Sequence, residues 1–347
     1  MNLPVSFSAL RQSGSIFPDS RSFSTDVEVV LLWVDGTCPK WQADMLSRRA
    51  AWEGAADQEH ACYGTSISRF KQRDELRYTL RSIEKFAPFF RRIYLVTDGQ
   101  VPAWLKAAHP RLHLVRHADF IPAASLPTFH SDAIQSHIWR ISGIAEKFVL
   151  LDDDMCFLAP VSTADFYDTE GRVIVAADRR RVQPRSTDPT HRRAMATHAA
   201  LTEKLGPLSY MRIAHGPYAL TRELMADLWA TLPDQLARLS HTPFRKADDI
   251  KVTSGAVQNL ALRTDRAVAL PASNIYGYIL LTSRTDFSRF IQVPRVVGSV
   301  ARFWMRRRML KALCINDGNK AVNIPFIENV VRRLYARLFP EKSTFEI

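Results

Sequence analysis

Three consecutive acids, Asp152, Asp153 and Asp154, close the apolar run KFVLL at residues 147–151, and Met155-Cys156-Phe157 turns apolar again. Adjacent carboxylates repel one another, so a buried run that ends in them needs an answer. Three exist: a divalent cation, arginine partners, or carboxyls kept protonated. Oxygen-only ligands select a hard ion such as Mg2+ or Mn2+, which also binds phosphates. Arg73, Arg77 and Arg81, on a helix-like stretch, offer the arginine solution. Elsewhere, His215 precedes Gly216-Pro217, a tight turn that would fix the direction of an imidazole or simply bond it to backbone. The segment FRKADDI (244–250) gathers Arg245, Lys246, Asp248 and Asp249, either a phosphate clamp with an acid beside it or a self-neutralising surface. Asn316-Asp317-Gly318 follows an apolar run, as an ordinary turn or as a second oxygen-rich edge.

The elements that must position these residues are legible from periodicity. VEVVLLWV (27–34) is an uninterrupted β-branched run ending at Asp35-Gly36, and RRIYLVTDG (91–99) is a second one ending in Asp98. KFVLL is a third; RLHLVRH (111–117) and RVIVAAD (172–178) read as further strands. Residues 74–88 carry Leu76, Leu80, Ile83 and Ala87 at helical spacing before Pro88, and residues 131–145 also read as a helix. Uninterrupted apolar strands alternating with helices predict a largely parallel sheet covered on both faces, with the site beyond the strands' carboxyl ends. Helices are expected at 221–232, capped by Thr221, and at 326–339, with polar loops at 179–200 and 233–250.

At 347 residues with 46% hydrophobic content, the chain can build a full core. Four scattered cysteines form no zinc spacing or disulfide framework; Cys156 and Cys314 read as small core residues. No apolar stretch is long enough to span a bilayer, and residues 1–25 read as a loosely ordered tail, so a cytoplasmic location is expected. The net charge of +12 is spread along the chain, but two clusters stand apart, RRRVQPRSTDPTHRR (179–193) and RFWMRRRMLK (302–311). Each is a solvated charged face, or a surface for polyanions or for the inner face of the membrane.

Taken in order, these segments resemble the Stealth family of sugar-phosphate transferases. The resemblance rests on VEVVLLWVDG (27–36), on RDELRYTLRSIEKFAPFFRRIYLVTDGQVPAWL (73–105) continuing to LPTFHSDAIQSHIWRISGIAEKFVLLDDDMCF (126–157), on 214–250, and on LCINDGNKAVNIPFIENVVRRLYARLFPEKSTFEI (313–347). It implies an α/β fold: a Rossmann-like nucleotide-sugar-binding core with a mostly parallel sheet, plus a helical C-terminal part. The organisation expected is a tail at 1–25, a catalytic domain at 26–312 and a C-terminal helical block at 313–347. The implied reaction moves a sugar-1-phosphate from a UDP-sugar to a hydroxyl of a polysaccharide or lipid-linked glycan, releasing UMP. It belongs to capsule or exopolysaccharide synthesis.

Carried over position by position, the resemblance implies that Asp153 and Asp154 hold Mg2+ or Mn2+, with Asp317 completing the metal site and Asp154 essential to turnover. His215 would be the general base and Arg245 the bidentate phosphate ligand. Asp35, Gly36, Arg73, Glu75, Arg77, His137, Arg140, Asp249 and Asn316 would face substrate or position the residues that do. Gln135 and Glu28 depart from the family pattern, where Glu and Asp are usual. A metal-dependent glycosyltransferase is the alternative within the same chemistry. A nucleic-acid-binding protein is the distant one, since no recognition motif accompanies the positive charge, and no nucleic acid partner is expected.

Overall fold

The apolar runs become strands because all but the edge run at 112–116 are buried on both faces. In the computed structural model, Val27–Leu32 forms β1, Ile93–Thr97 β2, Leu112–Arg116 β3 and Lys147–Asp152 β4. Val29, Val30, Leu31, Phe148, Val149 and Leu150 are completely buried. The structure describes residues 26–53, 64–65, 67–70, 72–178, 187–271, 276–281, 310–317 and 325–347. The expected tail at 1–25, the basic residues 179–186 and 302–309, and the side chains of Asn316 and Asp317 lie outside what is described.

β1 pairs in parallel with both β2 and β4, and β2 continues in parallel to β3. Tyr218–Thr221 forms β7, which closes the sheet antiparallel to β4, giving the order β3-β2-β1-β4-β7. The chain therefore runs outward from β1 on one side and returns to its other side with β4. That reversal opens a crevice beyond the carboxyl ends of β1 and β4, the place where open α/β sheets bind ligands. The register sets Leu32 of β1 beside Asp152 of β4.

Two smaller sheets complete the architecture. Met155–Phe157 (β5) leaves the main sheet and pairs antiparallel with Ala312–Asp317 (β10), which pairs in parallel with Tyr276–Leu281 (β9). Val173–Ala177 (β6) pairs in parallel with Ala267–Pro271 (β8), so the strand expected at 172–178 forms apart from the main sheet.

The helices supply the covering layers: Pro39–Glu53 (α1), Glu75–Phe86 (α2), Ser131–His137 (α3), Pro189–Leu205 (α4), Arg222–Thr231 (α5), Pro233–His241 (α6), Val257–Arg263 (α7) and Pro325–Leu338 (α8). Three of these revise the sequence reading. The helix expected over 131–145 ends as α3 at His137, passes through a 3-10 turn at Ile138–Arg140, and is broken where Gly143 adopts φ +77°. Most of α4 and all of α6 fall where polar loops were expected. Each starts with proline in its first turn, and the Asp188 side chain accepts the Thr190 N–H to cap α4. Asp-Pro before a helix is a start signal, because proline's missing N–H needs no partner there. Thr221 caps α5 as expected, accepting the Leu224 N–H.

The C-terminal residues tie α2 to the body. Arg81 donates two hydrogen bonds to Glu346, at 2.6 and 2.7 Å, and a third to the Phe339 carbonyl. The side chains are only 11% and 4% exposed, so this pair is desolvated, and Phe345 beside it is completely buried. Burial alone would raise the Glu346 carboxyl; Arg81 and the Ser343 N–H outweigh it and hold the group below its ordinary 4.5. A carboxyl held low when folded adds stability above its unfolded value and loses it as pH falls through the folded value. Glu346→Ala, which strands Arg81, is expected to lower stability by about 3 kcal/mol at pH 7. In urea unfolding the gap between wild type and variant should narrow as pH falls below that ordinary value, when the wild-type carboxyl protonates. A pH-independent gap would mean that the ion pair is not its source.

Candidate functional site

The acidic run stands at a corner. Asp152 is the last residue of β4, and Asp153-Asp154 form the turn by which the chain leaves one sheet for another. Backbone groups at such a turn lose their ladder partners and need others. Thr79 of α2 donates its hydroxyl to the Asp153 carbonyl at 2.7 Å, and Tyr335 of α8 reaches the Asp154 carbonyl at 3.5 Å. The corner is thus held from two helices, and its three carboxyls are only partly exposed.

Burial, then the neighbouring charges of Asp154, Glu75 and Asp152, push the Asp153 carboxyl far above the usual range. Burial raises Glu75 as well, although Arg73 opposes it through its backbone N–H and a guanidinium contact at 3.4 Å. The other α2 arginines turn elsewhere: Arg81 to Glu346, and Arg77 to within 3.7 Å of Glu346 with its guanidinium 4.9 Å from the Trp104 ring centre. A buried carboxyl crowded by other acids at a strand end is a setting that a divalent cation relieves.

His215 meets this corner from the segment before β7. Its Nε2 lies 3.7 Å from Asp152 Oδ2, and its Nδ1 lies 3.3 Å from the Tyr218 hydroxyl. Across the strand pairing, Cys314 of β10 completes a second arrangement: one ligand atom each from Asp154, His215 and Cys314 lie within 4.8 Å of one another. Carboxylate, imidazole and thiol together suit a borderline ion, whereas the carboxylates alone suit a hard one. Burial keeps the Cys314 thiol well above its ordinary value, further raised by Asp154 and Asp152. That favours the protonated thiol as long as no cation binds it.

A group of cations also lies within electrostatic reach of His215. Asp132, in the first turn of α3, pairs with Arg193 of α4 at 2.6 Å and lies 3.4 Å from Arg245. Arg245 also donates to the Ser131 hydroxyl. Burial would raise Asp132, but Arg193, Arg245 and His130 hold it well below the usual carboxylate range. His130, completely buried, accepts the Asp132 and Ala133 N–H groups at Nδ1, so its Nε2 carries the proton and donates to Asp249 at 2.8 Å. Asp249 accepts the Lys246 N–H too, which fixes the loop bearing Arg245. Lys251 follows on the same segment. Burial and then Arg193 lower its ammonium to about 8. Burial, with Lys251 and Arg245 nearby, outweighs Asp152 and lowers the His215 imidazole.

The structure therefore brings Asp152–Asp154, Glu75, His215, Arg245 and Asp249 to one region, and other expected residues elsewhere. The Asp35 carboxylate caps its own turn, accepting the Thr37 N–H and hydroxyl, while the Gln100 side chain clamps both its N–H and its carbonyl. Gly36 has the Phe70 backbone where a Cβ would lie. His137 is buried in the contact of α3 with α6, bonded to Ser240, and Arg140 lies over the Trp139 and Trp229 rings. Neither of these two is brought to the acids. Gln135 accepts the Thr253 hydroxyl, and Glu28, at the opposite end of β1 from the site, accepts the Ala145 N–H. Both departures from the family pattern therefore have local partners. Asn316 and Asp317 end β10, two and three residues after Cys314, with their backbones described and their side chains not.

Sequence reasoning missed Cys314, Asp132, Arg193 and Lys251. No local signal marks them, because only the pairing of β5 with β10 and the packing of α4 carry them here. His130 could have been read as an N-cap.

Comparison with known proteins fits this arrangement. Residues 69–175 match Stealth protein CR2, conserved region 2, and residues 214–260 match Stealth protein CR3, conserved region 3. The chain is 36% identical over 296 residues to exopolysaccharide phosphotransferase SCO6023 of Streptomyces coelicolor, covering 84% of itself and 47% of that protein. It is 33% identical over 339 residues to an exopolysaccharide phosphotransferase of Nocardia farcinica, covering 95% and 62%. It thus spans about half the length of the curated relatives it matches. Among solved structures, the galactosyltransferase LgtC in complex with donor and acceptor sugar analogs aligns at 10% identity with a TM-score of 0.43, covering 92% of this chain and 97% of that one. The two regions, one holding α2 and the acidic corner and the other His215, Arg245 and Lys251, make this chain a member of the Stealth family.

Proposed function

We propose that the chain transfers a hexose- or N-acetylhexosamine-1-phosphate from a UDP-sugar to a hydroxyl of a polysaccharide or lipid-linked glycan. The observation that carries this reading is the position of His215. It stands 3.7 Å from Asp152, with Arg245 and Lys251 also within electrostatic reach of it. A diphosphate suits such a split site, with its cation on the acids and its free oxygens on the guanidinium.

In this reading the acceptor oxygen bonds to the phosphorus that carries the sugar. The bond from that phosphorus to the bridging oxygen breaks, UMP leaves with the electron pair, and the sugar's anomeric C–O bond survives. The hydroxyl proton goes to His215 Nε2, with Nδ1–H donating to the Tyr218 oxygen, and Asp152 stabilises the imidazolium. A depressed imidazole is neutral near pH 7 and ready to accept. Arg245 holds non-bridging oxygens, and Asp249, through His130 and the Lys246 N–H, keeps its loop in place. Asp153 and Asp154 would bind Mg2+ or Mn2+, which supplies charge neutralisation on the diphosphate. Asn316 and Asp317 are proposed to complete the metal and sugar side. Among the described residues no helix is long and apolar enough to cross a membrane; a peripheral membrane contact through 302–311 remains part of the proposal.

Two measurements test the reading. Incubation with UDP-sugars, a glycan acceptor and Mg2+ should release UMP and leave phosphorus in the product; UDP with a phosphorus-free product would establish glycosyl transfer instead. His215→Ala should lower turnover by roughly 10²–10⁴-fold with donor binding largely retained, and collapse of donor binding would make it a phosphate ligand.

A second pair addresses the cation. Asp154→Asn and EDTA should each abolish turnover, while Cys314→Ser in Mg2+ should retain it within about threefold, as expected of a residue outside the ligand set. Full activity in EDTA would remove the metal. Loss in Cys314→Ser at an unchanged melting temperature would make the sulfur a ligand.

A further inference from the structure

The cations beyond His215 are not all answered by protein acids. Arg193 and Arg245 share Asp132, and Arg212 lies 3.1 Å from Asp178. Among the described residues, the Lys251 ammonium has neither an ion pair nor a hydrogen bond, although it is only partly exposed. Arg193, Arg245 and Lys251 thus have a single buried carboxylate, Asp132, among them, while Asp178 answers Arg212. A half-buried ammonium without a counter-ion is costly. Surplus positive charge beside a reaction centre therefore calls for an anion from outside the chain.

The root of this lysine is fixed. Its N–H donates to the Thr197 hydroxyl at 2.9 Å, and that hydroxyl donates to the Arg193 carbonyl. Its carbonyl accepts the Ala256 N–H at 2.7 Å, closing the wide turn Val252–Ala256. Wide turns of this kind recur at functional sites. Gly255 is required there, since a Cβ would come within 2.9 Å of Lys251 Cβ and 3.0 Å of the Tyr210 hydroxyl. With its backbone so fixed, the side chain lies within electrostatic reach of Arg193, Arg212, Arg245, Asp132 and His215. Burial first, and then the excess of positive neighbours, lower its ammonium.

We infer that Lys251 is a phosphate ligand of this site: its ammonium takes a non-bridging oxygen of the transferred phosphoryl group, together with Arg245. The inference rests on the sugar-phosphate reading for which phosphate is bound, while its chemistry, an ammonium on a phosphate oxyanion, stands apart from that reading.

The test uses the full chain in EDTA, so that no metal bridges the ligand, with calorimetric titration of inorganic pyrophosphate and of UMP. Wild type should bind pyrophosphate, and Lys251→Met should weaken it about ten- to a hundredfold, the range of one charge-assisted hydrogen bond. Lys251→Arg, which keeps the charge, should stay within about threefold. The melting temperature of Lys251→Met should be unchanged or raised, because its removal relieves repulsion. In turnover with Mg2+, the Met variant should lose kcat/KM more than donor affinity. Equal pyrophosphate binding by wild type and Lys251→Met, or no binding by wild type, overturns the assignment. A lowered melting temperature with binding lost in the Arg variant also overturns it, leaving a structural lysine that supports Asp132. If Lys251→Met binds normally while the product still contains phosphorus, only this inference fails. If it loses pyrophosphate and the product lacks phosphorus, the phosphate ligand stands and the proposed reaction fails.

Discussion

Repulsion among carboxyls at the β4–β5 corner is the constraint around which the rest is arranged. Asp152, Asp153 and Asp154 are consecutive, and Glu75 adds a fourth acid from α2. A turn carrying that charge would relax outward into solvent unless held. The holding groups are neutral and reach the backbone rather than the carboxyls: the Thr79 hydroxyl from one side and the Tyr335 hydroxyl from the other. Tyr78 and Tyr335 stack with ring centres 5.2 Å apart, joining the two helices that supply these hydroxyls. Arg81 and Glu346 then fix α2 to the C-terminal residues. A stretch far from the chemistry thereby keeps charged side chains gathered without neutralising them.

The site's second property is separation. Acids and cations act on His215 in opposite senses: Asp152 raises the imidazole, Lys251 and Arg245 lower it. Burial tips the balance toward the neutral ring. Had the arginines of α2 paired with the acidic corner, the cluster would be a structural ion pair with no capacity left for a cation. Arg77 and Arg81 instead converge on Glu346. Likewise, Asp132 engages Arg193 and Arg245 without drawing them toward the acids. Arg77, Arg81, Arg193 and Arg245 are each held by a carboxylate away from the acidic corner.

This division explains what was legible in the sequence. Continuous apolar strands, their acidic ends and the helix over 74–88 follow from period and punctuation, and the parallel sheet follows from them. The acidic corner, His215 and Arg245 are visible as residue types next to turns. The smaller sheets are not, because the pairing of β5 with β10 joins segments about 155 residues apart and has no local signature. Cys314 could only be read as a core residue until that pairing set its sulfur near Asp154 and His215. The helix over 189–205 was legible in principle from Asp188-Pro189, but its polar, arginine-rich sequence looks like a loop. Its contribution, Arg193, went unread for the same reason. His137 illustrates the converse: an imidazole beside a motif suggests chemistry, yet its place against Trp229 and Ser240 makes it part of the packing between α3 and α6.

The nearness of Asp154, His215 and Cys314 makes the identity of the cation and the role of the histidine a single question. An imidazole that donates its lone pair to a metal has none left for a proton, so a borderline ion seated on all three residues would silence His215 as a base. A hard ion has little affinity for sulfur and prefers carboxylate oxygen, which Asp153 and Asp154 supply in adjacent positions. It would leave the thiol protonated and the imidazole available. Both arrangements draw on Asp154, so they exclude each other, and the site can work by acid–base chemistry only in the second. Burial raises the Cys314 thiol and so disfavours a free thiolate beside Asp154 and Asp152.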